Sequence, residues 1–267
     1  MKRWAYFAYG VAGHLVFLAA YVWFAGFVGN WFVPWSIDSP ASVSMPAAWA
    51  INLTLIAAFG LQHSLMARPA FKAWWTRLVP PPIERSTYVW FSNALLIALM
   101  AFWQGIDVVI WNVEQPLGRA ILWVLFAAGW LMVPAATFMI NHFDLFGTRQ
   151  VWLHLQGRPY EPLPFRTPLL YDKVRHPLYL GWALAFWATP TMTLGHLVFA
   201  GAMTLYMVIA VRFEERDLVE YFGEAYRAYQ RRVPKFVPRG VWGGIRAGTK
   251  HPVAVAAGAS SEGNPGA

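Results

Sequence analysis

Long runs of apolar residues dominate the chain and predict membrane-spanning helices. A bilayer core of about 30 Å takes roughly 20 mostly apolar residues per helix, and several runs approach or exceed that length. The runs cover residues 4–28, 47–66, 87–103, 117–140, 178–189 and 194–213. The pattern predicts an all-α, polytopic membrane bundle with about six crossings.

The last two runs predict a helical hairpin. Residues 178–213 would form a helix of about 54 Å at 1.5 Å per residue, which is too long for one ordinary crossing. Thr189, Pro190 and Gly195 interrupt the apolar sequence near its middle. A turn at that point would bring both ends of the segment to the same side of the membrane.

The basic residues fix the predicted orientation. Of the 21 Lys and Arg residues, only Arg119 falls on the predicted outer side. Because cytoplasmic loops carry an excess of Lys and Arg, both termini are predicted to be cytoplasmic, in a bacterial inner membrane. The run at residues 4–28 is too long for a secretory signal and has no A-x-A-like cleavage site, so it is interpreted as the first crossing.

The connecting segments differ in character. Residues 30–46 are predicted to form an outer loop with aromatic anchors, and the proline-rich residues 141–177 an ordered cytoplasmic cap. Residues 213–232 are amphipathic and are predicted to lie along the cytoplasmic interface. One membrane domain is predicted over residues 1–240, followed by a disordered tail over residues 241–267. The apolar face of the amphipathic stretch carries Leu218, Phe222, Tyr226 and Tyr229.

Composition narrows the function further. Charged residues make up 13% of the chain, about half of the roughly 25% typical of soluble domains. There are no cysteines, which excludes disulfides and thiolate metal sites. The net charge of +8 comes from residues that flank apolar runs, which favours anionic lipid headgroups over nucleic acid as the partner.

The densest polar motif borders the predicted hairpin. It consists of Arg175-His176-Pro177-Leu178-Tyr179-Leu180-Gly181 before the hairpin and Arg212-Phe213-Glu214-Glu215 after it. Ionisable residues at membrane depth are candidates for function. Taken singly, they also fit a structural interpretation in which the arginines anchor the topology, Pro177 starts a helix and the glutamates form local ion pairs.

Together with Phe222-Gly223-Glu224-Ala225-Tyr226-Arg227-Ala228-Tyr229, the motif resembles the membrane methyltransferases that include isoprenylcysteine carboxyl methyltransferase and phospholipid N-methyltransferases. Their pattern is R-H-P-x-Y-x-G, a hairpin, E-E and then F-G-x-x-Y-x-x-Y, and it covers residues 174–238 here. The resemblance implies S-adenosylmethionine as cofactor. The implied cofactor-binding residues are Arg175, His176, Pro177, Tyr179, Gly181, Arg212, Glu214, Glu215, Tyr226 and Tyr229.

Within that set, different parts of the cofactor are assigned to different groups. Glu214 and Glu215 suit its amine, while Arg175 and His176 at a helix N-terminus suit its carboxylate. Tyr179 or Tyr226 could stack on the adenine. The chain has no G-x-G-x-x-G motif after a strand, so a soluble nucleotide-binding domain is not expected.

A wider resemblance, over residues 1–240, is to the bacterial methanethiol S-methyltransferases and the related NnrU-like membrane proteins. It is carried by residues 61–68 (LQHSLMAR), 84–86 (ERS) and 141–147 (NHFDLFG). That family converts methanethiol to dimethyl sulfide, and the resemblance implies a small volatile thiol as substrate here. Asn141, Phe143 and Phe146 are the implied substrate-binding residues.

Such a reaction needs a proton acceptor, because alkyl thiols are weak acids. His63, His142, His154 and His176 all fall at predicted cytoplasmic helix ends. His142, oriented by Asp144, is the first candidate and His63 the second. His14 and His196 are interpreted as structural.

Two other functions remain open from sequence. The acceptor could be a prenylcysteine carboxylate or a lipid amine, with the same cofactor site. Alternatively, the chain could be a non-enzymatic NnrU-like protein whose inner histidines bind haem or a metal. None of the histidine pairs has helical i, i+4 spacing, so no metal site is predicted, and no obligate protein partner is evident.

Overall fold

The computed structural model describes residues 1–238, which form ten α-helices and one two-stranded sheet. The helices are α1 Lys2–Gly29, α2 Met45–Met66, α3 Pro69–Trp75, α4 Pro81–Phe102, α5 Pro116–Ile140, α6 His142–Leu145, α7 Thr148–Leu155, α8 Pro177–Trp187, α9 Leu194–Phe222 and α10 Glu224–Arg232. The strands are β1 Val109–Asn112 and β2 Thr191–Thr193, and a 3-10 helix covers Leu169–Asp172. The predicted disordered tail, residues 241–267, lies outside the described residues.

Each of the six predicted apolar runs forms a helix, and the prediction of an all-α, polytopic membrane protein is confirmed. Four helices, α1, α2, α5 and α9, are long and apolar enough to cross a bilayer. The 11 residues of α8 reach about 16 Å, roughly half of a bilayer core. The exact number of crossings therefore stays a prediction.

Three loops meet at one end of the bundle, which we call the sheet end. Strand β1, between α4 and α5, pairs antiparallel with β2, between α8 and α9. Residues of the α1–α2 loop join them, because Thr193 donates a hydrogen bond to Asp38 over 2.5 Å and Pro40 bridges to Gly105. The predicted hairpin turn is therefore found at β2, and α8 and α9 both run to the opposite end.

The opposite end contains the loop at residues 67–80, the cap at residues 141–176 and the segment at residues 214–238, and we call it the basic end. The cap is ordered, as predicted, and contains α6, α7 and the 3-10 helix. Helix α7 packs on α1 so closely that a Cβ on Gly10 would lie 2.7 Å from Cγ2 of Val151.

An aromatic core between α1, α5, α8 and α9 connects the two ends. Its buried members include Phe24, Trp130, Phe186 and Phe199. Pro134 lies inside α5 and removes the N–H that would have bonded the carbonyl of Trp130. The hydroxyl of Tyr21 donates to that carbonyl over 2.5 Å, so the interruption of α5 is satisfied by α1.

The prediction of one interfacial stretch over residues 213–232 is wrong about where the break falls. Helix α9 continues without interruption through Phe213 to Phe222. The turn comes at Gly223, whose φ of 59° is accessible at low cost to glycine, and only then does α10 begin. The charged residues that follow the apolar part of α9 therefore continue the same helix.

Candidate functional site

The hairpin brings the two halves of the polar motif together at the basic end. The hydroxyl of Tyr179, on α8, donates to Oε2 of Glu214, on α9, over 2.8 Å. His176 is the N-cap residue of α8, and Pro177 occupies the first turn of the helix, where the missing N–H costs nothing. The predicted proximity of Tyr179 and Glu214 is confirmed.

Glu215 is the centre of a buried ion-pair network. Its carboxylate accepts from Nε of Arg175 over 2.7 Å and from Nε2 of His176 over 3.0 Å, and it lies 3.2 Å from Nζ of Lys235. The residue is 8% exposed. Its oxygens are thus occupied by groups of the chain itself, which gives Glu215 a structural role.

The network clamps the chain that follows α10 against the start of α8. Backbone N–H groups of Arg175 and His176 donate to the carbonyls of Pro234 and Lys235 over 2.9 and 3.2 Å. The Arg175 guanidinium donates in addition to the carbonyls of Gln230 and Val233. Most donor positions of Arg175 are used inside the protein, which conflicts with the predicted contact between this residue and a ligand carboxylate.

Glu214 is the more accessible carboxylate of the pair, with a side chain that is 42% exposed. It holds Tyr179 with one oxygen and lies 3.9 Å from Nδ1 of His176. A carboxylate offers about four acceptor positions, so Glu214 can accept further donors from a ligand. The structure therefore distinguishes two adjacent acids that the sequence treats alike.

Four other residues of the predicted cofactor set have different surroundings from those expected. Gly181 contacts α5, where an added Cβ would lie 3.1 Å from the carbonyl oxygen of Gly129. Tyr226 and Tyr229 are buried in a cluster with Phe165, which gives both rings a packing role. Arg212 is exposed and lies two residues before Glu214, so it points to a different face of α9.

The prediction that Asp144 orients His142 is wrong. The Asp144 carboxylate accepts instead from Arg149 over 2.8 Å and from the hydroxyl of Tyr160 over 3.2 Å. The partners of His142 are Thr137, at 2.8 Å from Nδ1, and His14, at 2.9 Å between the two Nε2 atoms. His14, interpreted from sequence as structural, is thus a direct hydrogen-bond partner of the first candidate base.

The hydrogen bonds assign the tautomers of this histidine pair. Thr137 donates its hydroxyl proton to the carbonyl of Pro134 over 2.8 Å, so it accepts from Nδ1–H of His142. Nε2 of a neutral His142 is then an acceptor, and His14 donates to it. Both ring nitrogens of His142 are consequently occupied by partners within the protein.

Acid should destabilise the protein through His142. Burial, and secondarily the neighbouring His14, lower the pKa of His142 to about 4 from the ordinary value of 6.5. Between these values the unfolded chain binds a proton that the folded chain does not, so stability falls as the pH falls from 6.5 towards 4. We expect the His142→Gln variant to lose less thermal stability than the parent between pH 7 and pH 5.

That comparison is made by thermal unfolding in detergent, with His154→Gln as the control. His154 lies on α7 and stacks on Tyr6 at 5.5 Å. An equal fall in the unfolding temperature for the parent and His142→Gln would contradict the assignment.

The three predicted substrate-binding residues surround the same histidine pair. Asn141 caps α6 by accepting from the backbone N–H of Asp144 over 3.0 Å. Phe146 is buried and stacks on His14 at 5.0 Å, whereas Phe143 is 55% exposed. Asn141 therefore has a local structural role, and the two phenylalanines contribute apolar walls.

The second candidate base, His63, lies in a separate polar cluster. Its Nε2 is 2.9 Å from the hydroxyl of Tyr88 and its Nδ1 is 3.2 Å from Oγ of Ser92. The neighbouring Ser64 donates to the hydroxyl of Tyr206 over 3.4 Å. This cluster connects α2 to α4 and α9.

Sequence reasoning missed several members of these clusters. Tyr88 follows the Glu84-Arg85-Ser86 motif by two residues, which was an available signal. Arg68 ends the motif at residues 61–68 and forms a 2.8 Å ion pair with Asp217, which ties the start of α3 to α9. Tyr206 lies inside an apolar run, where nothing in the sequence distinguishes it.

Two clefts open near the cap. The first, about 580 Å³, lies between α3, α4 and the cap, and its walls include Lys72, Arg85, Asp144 and Tyr160. The second, about 490 Å³, lies between α1 and the cap, and its largely apolar walls include Phe7, His14, Phe143 and Trp152. Neither of these clefts is lined by Glu214. Among residues 1–238, no three His, Cys, Asp or Glu side chains are grouped as a metal site.

The chain is similar to proteins named methanethiol S-methyltransferase. It is 50% identical over 230 residues to one from Crocosphaera subtropica, covering 86% of this chain and 90% of that protein. It is also 50% identical over 238 residues to one from Mycobacterium tuberculosis, covering 89% of this chain and 98% of that protein.

A more distant similarity is to nurim from Sus scrofa, which is 30% identical over 186 residues, covering 66% of this chain and 70% of that protein. No family model matches the chain, and no solved structure matches it significantly.

Proposed function

The chain belongs to the methanethiol S-methyltransferase family, and we propose from this that it is a membrane enzyme that methylates methanethiol, or a similarly small thiol, to dimethyl sulfide. The observation that carries the proposal is the contact between Tyr179 and Glu214. It places an accessible carboxylate beside the start of α8, in a bundle whose interior is apolar. A site at this end of the bundle can hold a cationic methyl donor beside Glu214, while a volatile thiol arrives from the bilayer.

We propose S-adenosylmethionine as the donor, which when bound supplies a methyl group on a sulfonium centre. Its amine suits Glu214, whose carboxylate keeps free acceptor positions. Its carboxylate suits the N-terminus of α8, because the first backbone N–H groups of a helix have no partner within it. Glu215 and Arg175 do not contact the donor in this arrangement. Their hydrogen bonds hold His176 and the start of α8 in position.

The apolar surroundings favour the transfer itself. A thiolate and a sulfonium react with loss of charge, so a dry pocket stabilises the transition state relative to the separated ions. The protein then needs mainly to align the donor and the thiol. Tyr21, Trp182 and Tyr206 lie partly buried against the aromatic core and can form such walls.

We also propose that the basic end faces the cytoplasm of a bacterial inner membrane. Arg119 lies beside the sheet end, where it donates to the carbonyl of Val113 over 3.0 Å. Ion pairs of arginine and lysine residues concentrate at the other end, at Arg68, Lys72, Arg149, Arg175, Arg232 and Lys235. An excess of basic residues marks the cytoplasmic side.

The test is dimethyl sulfide formation by cells that express the chain in a host without this activity. Headspace gas chromatography after addition of methanethiol should detect dimethyl sulfide with the parent chain and with Glu220→Gln, which alters an exposed acid on the same helix. Glu214→Ala should abolish it.

Purified protein with methyl-labelled S-adenosylmethionine separates this proposal from its alternatives. We expect the label in dimethyl sulfide. Label found instead in a prenylcysteine ester or in lipid, with no volatile product, would overturn the substrate assignment.

A further inference from the structure

The hydroxyl of Tyr88 and the imidazole of His63 form a directed hydrogen-bonded pair near the basic end. Tyr88 lies on α4 and is 6% exposed, and its oxygen is 2.9 Å from Nε2 of His63 on α2. A phenol beside an imidazole can pass its own proton on while it receives another. The direction of the hydrogen bond decides whether that is possible here.

Ser92 fixes the direction. It lies one helical turn after Tyr88 and donates its hydroxyl proton to the carbonyl of Tyr88 over 3.0 Å. Its oxygen therefore accepts from Nδ1–H of His63 over 3.2 Å. Nε2 of His63 is left with a lone pair, and Tyr88 donates its proton to it.

The pair is connected to α9, the helix that carries Glu214. Ser64, the neighbour of His63, donates to the hydroxyl of Tyr206 over 3.4 Å, and Tyr206 lies on α9 about two turns before Glu214. The close packing at Gly60, where an added Cβ would lie 3.2 Å from the Tyr206 ring, holds α2 against α9. Tyr88 and His63 are therefore linked through Ser64 and Tyr206 to the helix on which Glu214 lies.

A cation stabilises negative charge on Tyr88. The guanidinium carbon of Arg85 lies 4.6 Å from the centroid of the Tyr88 ring, and its Nε is held by the carbonyl of Leu145 over 2.7 Å. As the tyrosine gives up its proton, the developing charge on the ring lies under this fixed cation. Since the carbonyl of Leu145 belongs to the cap, the cap positions the cation.

We propose that Tyr88 and His63 form the relay that removes the proton of the thiol, an inference that rests on the function proposed above. The S–H proton moves to the oxygen of Tyr88 as the proton of Tyr88 moves to Nε2 of His63, which becomes an imidazolium. The thiol sulfur bonds the methyl carbon, whose bond to the donor sulfur breaks with the electron pair remaining on that sulfur. Dimethyl sulfide and the demethylated donor are then both neutral thioethers at their sulfur atoms.

His142 is a poorer acceptor on geometric grounds. The lone pair on Nε2 of His142 already accepts a hydrogen bond from His14, and its Nδ1–H donates to Thr137. A thiol could reach neither nitrogen without breaking the pair. In contrast, the oxygen of Tyr88 donates to His63 and retains lone pairs of its own that can accept the thiol proton.

The test compares methanethiol with methaneselenol, which is almost the same size but is ionised at neutral pH. In Tyr88→Phe, we expect turnover of methanethiol to fall by about 100-fold or more, the usual contribution of a general base. Turnover of methaneselenol should change little, because its proton is already lost. A structural role for Tyr88 would lower both rates equally.

Tyr9→Phe is the matched control, since the hydroxyl of Tyr9 bonds Thr87 over 3.2 Å, beside Tyr88 in sequence but outside the relay. It should leave both rates as in the parent. If Tyr88→Phe does not fold, His63→Gln carries the same comparison, with the same selective loss expected. Equal losses on both substrates, or no loss on methanethiol, would overturn the relay. A parent chain that methylates neither substrate would instead overturn the proposed function.

Discussion

Neutralising Glu215 should destabilise the fold, whereas neutralising its neighbour Glu214 should leave the fold intact and weaken donor binding. The two variants, Glu215→Gln and Glu214→Gln, affect adjacent residues of α9. Each replaces one carboxylate oxygen by an amide nitrogen. The sequence alone predicts the same result for both. The structure predicts opposite results, because the partners of the two carboxylates differ.

The loss in Glu215→Gln follows from the charges that it would leave unpaired. Arg175 and His176 donate to this carboxylate, and Lys235 lies 3.2 Å away, with the Arg175 side chain only 10% exposed. Breaking a buried ion pair by removing one partner costs about 3–5 kcal/mol. Because the same network holds residues 233–236 against α8, we expect a lower unfolding temperature and early proteolysis after α10.

In Glu214→Gln the lost interaction is with the ligand. A hydrogen bond to a charged group is worth about 1.5–3 kcal/mol, so we expect donor affinity to fall by about 10- to 100-fold. The Gln side chain can still accept from Tyr179, which preserves the contact between α8 and α9. Thermal unfolding in detergent should match the parent.

The measurements are calorimetric titration with S-adenosylhomocysteine, which keeps the amine and carboxylate of the donor, and thermal unfolding of each variant. Glu220→Gln again serves as the control on an exposed part of α9. If Glu214→Gln bound as tightly as the parent, the donor amine would lie elsewhere. If Glu215→Gln unfolded like the parent, the network would be dispensable.

The architecture was predictable because it follows from lengths and composition. Apolar runs of a given length must cross or enter the bilayer, and a run of residues 178–213 can only do so as a hairpin. Polar residues at both ends of that hairpin then have to meet. The contact of Tyr179 with Glu214 is a consequence of this geometry, and the structure confirms it.

Side-chain partners were less predictable, because closeness in sequence is a poor guide to closeness in space. Asp144 lies two residues from His142 but pairs with Arg149 and Tyr160 instead. The actual partner of His142, His14, is 128 residues away, on a helix that the apolar pattern marks only as a crossing. The distinction between Glu214 and Glu215 was equally hidden, since neighbouring helical positions face directions about 100° apart.

The contact between α5 and α8 leaves little room for added atoms. A Cβ on Gly129 would lie 2.5 Å from the backbone nitrogen of Ala185 and 2.8 Å from the carbonyl oxygen of Gly181. Both are backbone atoms of α8, so relief requires the helices to separate. Small residues permit such close approach of helices in membranes, where no hydrophobic effect drives them together.

We therefore expect Gly129→Val to prevent assembly of the folded bundle, and Gly129→Ala to lose about 1–3 kcal/mol, the usual cost of overpacking. Gly181→Ala should cost less, because its Cβ would approach the nearest atoms at 3.1–3.2 Å. Gly201→Ala is the control: its Cβ would meet nothing within 4 Å, and removing a helical glycine stabilises by about 0.5–1 kcal/mol. The order is measured as unfolding temperature in detergent, together with methyl transfer. Activity should fall together with stability along the series, because any shift of α8 carries Tyr179 away from Glu214. A Gly129→Ala protein as stable and active as Gly201→Ala would show that the contact between α5 and α8 does not position the site.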